Sequence, residues 1–321
     1  MTHPKNVLSL VADVGGTNTR VALADGERLL TETVRKVPNR EASSLADLLQ
    51  TYVRDENVDC AAAAVAIAGP VRDGRGTLTN LNWSMDRDTL ASIAKAETVA
   101  VLNDLQAQAF ALGEISTDNL NNVLPGQPAA SDAARLVIGI GTGFNAALAL
   151  STAKGHVVPA SECGHVTMPV RSEADLRLAS FVGKTTGFTS VEDVLSGRGV
   201  EHVYAWQAHE AGRDEKLSAA EVMERAEAGD GLALNAVETF VGLMGRVAGD
   251  LALVHLPFGG VYLIGGVARA MTPYLDRFGF SESFHDKGRF TDFMARFPVS
   301  LVEDDFAALS GLAAHLAEVR K

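Results

Sequence analysis

The sequence predicts an α/β protein with a largely parallel sheet, on three observations. Apolar, strand-like runs alternate with segments whose apolar residues recur at helical spacing. Several of those runs stop abruptly at glycine turns. One device, a buried strand, a glycine turn carrying a threonine and a returning apolar strand, occurs twice. Its copies are Asp13-Val14-Gly15-Gly16-Thr17 and Gly139-Ile140-Gly141-Thr142-Gly143. The repeat suggests two related lobes facing each other.

Along the chain, Val7 to Val14 is mostly apolar and reads as a buried strand. Gly15-Gly16-Thr17-Asn18 turns the chain, Arg20 to Ala24 returns, and Leu29 to Val37 forms a third strand. Leu45 to Tyr52 is spaced as a helix that Ser43-Ser44 can cap. Cys60 to Ala68 is an Ala-rich strand closed by Gly69-Pro70, and Thr98 to Leu102 is another, stopping at Asn103-Asp104. From Leu105 to Leu112 the pattern is helical. Strands joined by helices imply parallel neighbours. A second part starts near Gly113. Asn119 to Asp132 is polar and contains Pro and Gly, so it reads as a loop. Arg135 to Gly139 and Asn145 to Leu150 are strands around the second glycine turn. Gly231 to Leu256 is a long amphipathic helix, and Gly260 to Ile264 is a strand closed by Gly265-Gly266 and a helix from Val267. Val299 to Val302 is a further strand and Phe306 to Val319 a last helix.

At 321 residues the chain has the length of about two domains of roughly 100–200 residues each. The formal charge of −12 and pI near 5.1 disfavour a nucleic-acid partner. An anionic nucleotide would have to be held locally, by backbone N–H groups and a metal ion, against the overall field. Cys60 and Cys163 make neither a disulfide framework nor a CxxC metal pair, which fits a reducing cytoplasm. The first residues run into a strand without the pattern of a cleaved leader. The longest apolar run, Cys60 to Ala68, falls far short of the roughly 20 residues of a membrane helix.

A loop of small residues after a strand lets backbone N–H groups converge on an anion. Such turns lie at Gly15-Gly16, Gly141-Thr142-Gly143 and Gly265-Gly266; each could equally be a tight hairpin. Gly183-Lys184-Thr185 ends like a Walker motif, but Leu178 stands where the first glycine is required. Gly141, Gly143 and Ala146 match a dinucleotide fingerprint, yet Ala147 to Leu150 looks like a strand where that motif needs a helix. A nicotinamide-dependent oxidoreductase rests on that match alone. Asp13 sits inside an apolar strand, where an unpaired carboxylate is costly. It either caps its turn or holds Mg²⁺, directly or through water, beside phosphates. Asn103-Asp104 follows a strand and opens a helix, so Asp104 is either an N-cap or a general base. Glu162-Cys163-Gly164-His165 brings an acceptor and a donor close together, suited to oriented hydrogen bonds with hydroxyl groups or to plain structural roles. Glu192 alone would be an ordinary first-turn helix acid.

Taken together, these motifs resemble the bacterial glucokinases of the hexokinase–actin–chaperone ATPase superfamily over essentially the whole chain. Asp13 to Arg20 looks like the first phosphate motif, Thr79-Asn80-Leu81-Asn82-Trp83 like the sugar-side loop and Leu102-Asn103-Asp104 like the segment carrying the catalytic base. Gly139 to Gly143 resembles the second phosphate motif, and Glu162-x-Gly164-His165 and Glu192 to Gly197 the sugar-contacting segments. Gly260 to Gly266 is similar to the adenosine motif and Asp286 to Phe290 to a late family segment. Two places depart. Cys163 stands where the family commonly has Gly, and Phe144-Asn145 replace a small pair after the second Gly-Thr-Gly. The related sugar-kinase/repressor family is not matched, because its zinc-binding cysteine cluster is missing.

The resemblance implies a two-lobed actin-like ATPase (ribonuclease H-like) fold. A small α/β domain of residues 1–112 plus 303–321 and a larger α+β domain of 113–302 would flank a cleft. It implies an ATP-dependent hexose kinase acting on the 6-hydroxyl of glucose or a close hexose, as a cytoplasmic homodimer with no membrane or nucleic-acid partner. Sugar contacts then fall to Asn103, Asp104, Glu162, His165 and Glu192, with Asp104 as general base. ATP contacts fall to Asp13, Gly15, Gly16, Thr17, Asn18, Gly141, Thr142, Gly143, Gly265 and Gly266, with Mg²⁺ at Asp13. The alternative is an actin- or chaperone-like nucleotide-switch ATPase, which shares the phosphate turns but has no need of the hydroxyl-binding groups.

Overall fold

The computed structural model describes residues 8–78, 81–113 and 115–321. The chain divides into two compact units: Met1–Ser116 with Ser151–Ala160 and Asp304–Lys321, and Thr117–Leu150 with Ser161–Glu303. The family resemblance puts the boundaries at 112/113 and 302/303; the structure divides after 116 and 303 and counts 151–160 with the first unit. Val7, Thr79 and Asn80 lie outside the described residues.

The first unit opens with β1 (Ser9–Val14), β2 (Asn18–Asp25), β3 (Arg28–Pro38), α1 (Leu45–Glu56) and β4 (Ala62–Ile67). A small sheet of β5 (Val71–Arg72), β6 (Arg75–Thr77) and β7 (Ser84–Asp86) follows, then α2 (Arg87–Ala94), β8 (Thr98–Asn103) and α3 (Asp104–Ala111). Local chemistry sets the ends. The Ser44 side chain accepts the N–H of Asp47 to start α1, which stops at Asn57 in the left-handed region. A capping box opens α3: Asn103 accepts the Leu105 N–H, and Gln106 accepts the Asn103 N–H. The main sheet runs β3-β2-β1-β4-β8. β1, β4 and β8 are parallel, but β2 and β3 are antiparallel. The expected largely parallel sheet is therefore mixed, because a strand that returns after a short glycine turn can only pair antiparallel.

The second unit is built from β9 (Leu120–Leu124), β10 (Arg135–Ile140) and β11 (Phe144–Thr152), whose last two residues and β12 (Gly155–Val157) fall in the 151–160 segment counted with the first unit. There follow α4 (Glu173–Thr186), α5 (Gly197–Glu210), α6 (Ala219–Glu227), α7 (Gly231–His255), β13 (Val261–Ile264), α8 (Gly266–Met271), α9 (Phe280–His285), α10 (Thr291–Met294) and β14 (Val299–Val302). The sheet order is β12-β11-β10-β13-β14-β9. Strand for strand, β2-β1-β4-β8 and β11-β10-β13-β14 share one order and one set of directions. The duplicated turn of the sequence thus marks a duplicated sheet. β11 follows the Gly141–Gly143 turn as a strand, so the dinucleotide fingerprint lacks its helix. The segment read as a loop from Asn119 holds the edge strand β9, antiparallel to β14. Asn121 and Asn122 are exposed while Leu124 is buried, so no apolar run announced it. The core of this unit is α7, whose buried face includes Val237, Phe240, Val241 and Met244. Asp175, almost fully buried, receives both Arg246 nitrogens at 2.6 and 3.0 Å. Burial pushes its carboxyl up, but the hydrogen bonds and charge of Arg246 outweigh this and hold it below the usual range.

After β14 the chain returns to the first unit as α11 (Ala307–Val319). The strand period of two sorts the core. Leu10, Ala12, Ala63 and Val65 pack with Leu45, Leu49 and Leu90 on one face. Val11, Ala62, Ala64 and Ala66 pack with Ala107, Leu309, Leu312 and Leu316 on the other. The alanines let α11 come close, and α3 and α11 touch at Gly311. A Cβ built there would lie 1.9 Å from the Ala107 carbonyl oxygen and 2.9 Å from the Ala111 nitrogen. Both are backbone atoms of a packed helix and cannot swing aside. Gly311→Ala is expected to lower stability by about 1–3 kcal/mol, read as a lower urea midpoint; an unchanged midpoint would contradict this contact.

Candidate active site

In the first unit the register aligns Val14, Ile67 and Asn103 in one row across β1, β4 and β8. The Gly15–Asn18 turn and Asn103-Asp104 therefore leave the same edge, at the C-terminal ends of parallel strands where α/β sheets bind ligands. Two strand spacings, about 10 Å, separate them. The Gly15 N–H donates to the Asn18 carbonyl at 3.1 Å, and Gly16 and Thr17 are exposed. Asn39 braces the turn from behind. Its side-chain amide donates to the Gly15 carbonyl at 2.8 Å, its amide oxygen accepts from the Thr19 hydroxyl at 2.8 Å, and its backbone N–H donates to the Thr17 carbonyl at 2.8 Å. Asn103 donates to the Gly69 carbonyl at 3.0 Å, which fixes the start of α3, and Asp104 accepts the Leu105 N–H at 3.0 Å. Gln106 ties this turn to the 151–160 segment by donating to the Val158 carbonyl at 2.8 Å.

Asp13 lies one residue before the end of β1, with Arg20 3.7 Å away. Burial pushes its carboxyl pKa up and the Arg20 charge offsets this only in part. Among the described residues no three His, Cys, Asp or Glu side chains group as a closed metal site. A single desolvated carboxylate nevertheless suits a cation that brings most of its own ligands, as Mg²⁺ does with water and phosphate oxygens.

In the second unit the three predicted motifs interlock. The Gly141–Gly143 turn ends β10, and its Gly141 N–H donates to the Gly143 carbonyl at 2.9 Å. Gly265, at φ +103°, packs under it. A Cβ on Gly265 would be 2.3 Å from the Ile140 oxygen, so the second and third glycine turns touch and only glycine fits. Glu192 accepts the Phe144 N–H at 2.9 Å and pairs with Arg198 at 3.3 Å. A Cβ on Gly143 would meet the Glu192 carboxylate at 2.6 Å. The Glu192 N–H donates to the Gly164 carbonyl at 2.9 Å, and Gly164 lies so close to the Phe144 oxygen that a Cβ would be 2.0 Å from it. The short helical turn Cys163–His165 leaves Glu162 and His165 exposed at its two ends.

The structure thus gathers Asp13, Gly15, Gly16, Thr17, Asn18, Asn103 and Asp104 at one sheet edge of the first unit. It gathers Gly141, Thr142, Gly143, Glu162, His165, Glu192, Gly265 and Gly266 in the second. Sequence reasoning missed Asn39 and Gln106. The Asn-x-x-Gln spacing of a capping box could have found Gln106; Asn39 gives no local signal, since its partners lie some twenty residues upstream.

The family model described as Glucokinase matches residues 10–319. The chain belongs to the glucokinase family. It is 33% identical over 310 residues to a glucokinase of Neisseria meningitidis serogroup C, covering 96% of this chain and 94% of that protein. It is 34% identical over 315 residues to a bifunctional protein glk of Burkholderia lata, and here it covers 96% of itself but spans only 48% of the relative. Among solved structures, the glucokinase of an Antarctic psychrotroph is similar at 31% identity with a TM-score of 0.86, covering 97% of this chain and 99% of that one. Within this glucokinase family the two like-ordered sheets are the paired repeats of the actin-like ATPase fold. On the reading that this turn receives phosphates, Asn39→Ala, which removes both side-chain bonds of Asn39, is expected to weaken nucleotide affinity about tenfold. Calorimetric titration with ADP measures this; equal affinity would remove Asn39 as a brace of that turn.

Proposed function

We propose that this chain is an ATP-dependent glucokinase that phosphorylates the 6-hydroxyl of glucose or a close hexose. The observation that carries the reading is the register of β1, β4 and β8. It sends Asp104 and a glycine-rich turn off the same sheet edge, in a chain of the glucokinase family. Asp104 accepts the proton of the 6-hydroxyl. That oxygen forms a bond to the γ-phosphorus, the bond from the γ-phosphorus to the bridging oxygen breaks, and ADP leaves with the electron pair. Asn103, Glu162, His165 and Glu192 orient the sugar hydroxyls. Backbone N–H groups of the turns at Gly15–Asn18, Gly141–Gly143 and Gly265-Gly266 receive the phosphates. Asp13 is the carboxylate for the Mg²⁺ that accompanies ATP, an ion that neutralises phosphate charge. Positioning and charge neutralisation supply most of the rate, with the base worth on the order of 10²–10⁴-fold.

The reading extends to a cytoplasmic homodimer. Two free cysteines suit a reducing compartment, and the acidic charge opposes nucleic acid. Among the described residues no helix is long and apolar enough to cross a membrane.

Asp104→Ala is expected to cut turnover about 10²–10⁴-fold while glucose still binds by calorimetry. Wild-type turnover in that variant would exclude Asp104 as the base. ATP consumption that ignores added sugar would instead favour a nucleotide-switch ATPase. Glu162→Gln is expected to raise the glucose KM by the loss of roughly 1.5–3 kcal/mol with kcat changed less, in a coupled assay of ADP formation; an unaltered KM would refute its part in sugar binding.

A further inference from the structure

The two departures from the family pattern, Asn145 and Cys163, meet each other. Asn145 is the second residue of β11, directly after Phe144, whose N–H is held by Glu192. Its side-chain amide nitrogen donates to the Ser161 carbonyl at 2.6 Å. Its amide oxygen accepts the Cys163 N–H at 3.2 Å, the Cys163 thiol at 3.5 Å and the neighbouring Ala146 N–H at 2.8 Å. One amide thus grips the chain on both sides of Glu162. The thiol suits the acceptor, since burial pushes its pKa up and keeps the proton on sulfur. All the atoms lie within the second unit, and Asn145 and Cys163 are both half-buried.

The consequence concerns Glu162. Its own side chain is exposed, so no packing holds it. The backbone on either side of it must therefore set where its carboxylate points. Downstream, the close approach of Gly164 to Phe144 does this. Upstream, Ser161 and Cys163 hang on Asn145. Without the amide, the Ser161 carbonyl and the Cys163 N–H lose this partner and the turn into Glu162 loosens.

We propose that Asn145 is a positioning residue for the hydroxyl-binding segment Ser161–His165, locking it to the second phosphate turn through Phe144. The proposal rests on the reading of Glu162 and His165 as sugar contacts. It makes a distinction that a merely structural role would not. Loss of the amide affects sugar more than nucleotide, because the Gly141–Gly143 turn keeps its bond from the Gly197 N–H, and Phe144 after it keeps its bond to Glu192.

The test uses the full chain with Mg·ATP and glucose, and compares wild type, Asn145→Ala and Asn145→Asp. Asn145→Asp keeps an acceptor for Cys163 and Ala146 but loses the donor to Ser161. Steady-state constants and urea midpoints are measured for each. Asn145→Ala is expected to raise the glucose KM about tenfold, with the ATP KM within about twofold and kcat within about threefold. Asn145→Asp is expected to raise the glucose KM in the same direction. An unchanged glucose KM in Asn145→Ala, or equal rises in both KM values alongside a lowered urea midpoint, overturns the positioning role while leaving the kinase reading intact. A wild-type chain that forms no ADP in response to glucose overturns the kinase reading and this proposal with it.

Discussion

The second unit's chemistry depends on one close approach, the backbone of Gly164 lying against the carbonyl of Phe144. No side chain fits between them, so the strand that leaves the phosphate turn and the segment that carries Glu162 and His165 are held at backbone contact. Glu192 completes the joint by bonding to both, through its N–H to Gly164 and its carboxylate to Phe144. On the proposed reading, a group that holds the sugar and a group that holds a phosphate share a single rigid support. This is what a transfer between two bound molecules needs, because small misplacements cost large factors in rate.

The first unit achieves its precision by register rather than by contact. Parallel pairing of β1, β4 and β8 brings three strand ends into one row, and the chemistry-bearing turns follow within a residue or two. Asn39 and Asn103 then fix those turns by bonding to carbonyls of other loops. Asp13 is the tension in this arrangement. It is placed where a carboxylate is poorly solvated and only partly answered by Arg20, an environment that an arriving cation would relieve.

Much of this was legible because it is local. Apolar runs gave β1, β4, β8, β10 and β13. The Ser44 cap placed α1, and glycine turns after strands pointed to the sheet edges. A carboxylate within an apolar strand drew notice to Asp13 for a sound reason, the cost of burying it. What escaped was tertiary or set by an edge. β9 carries polar residues on a sheet margin and so has no apolar signature. The antiparallel share of both sheets is only partly legible: the turns after β1 and β10 announce their hairpins, but β12 carries no such signal. Asn39 acts on partners twenty or more positions away. Asn145 and Cys163 were visible as two separate oddities, and only the fold joins them across eighteen residues.

The alanine face of β4 has a consequence for how the protein is made. Ala62, Ala64 and Ala66 await α11, which the ribosome produces only after the whole of the second unit. Until then that face of β4 has only α3 to pack against it, while the intervening unit can condense on its own. Methyl groups in place of larger aliphatic side chains keep that waiting surface weakly adhesive. The same small side chains that let the last helix settle closely also limit wrong associations before it arrives.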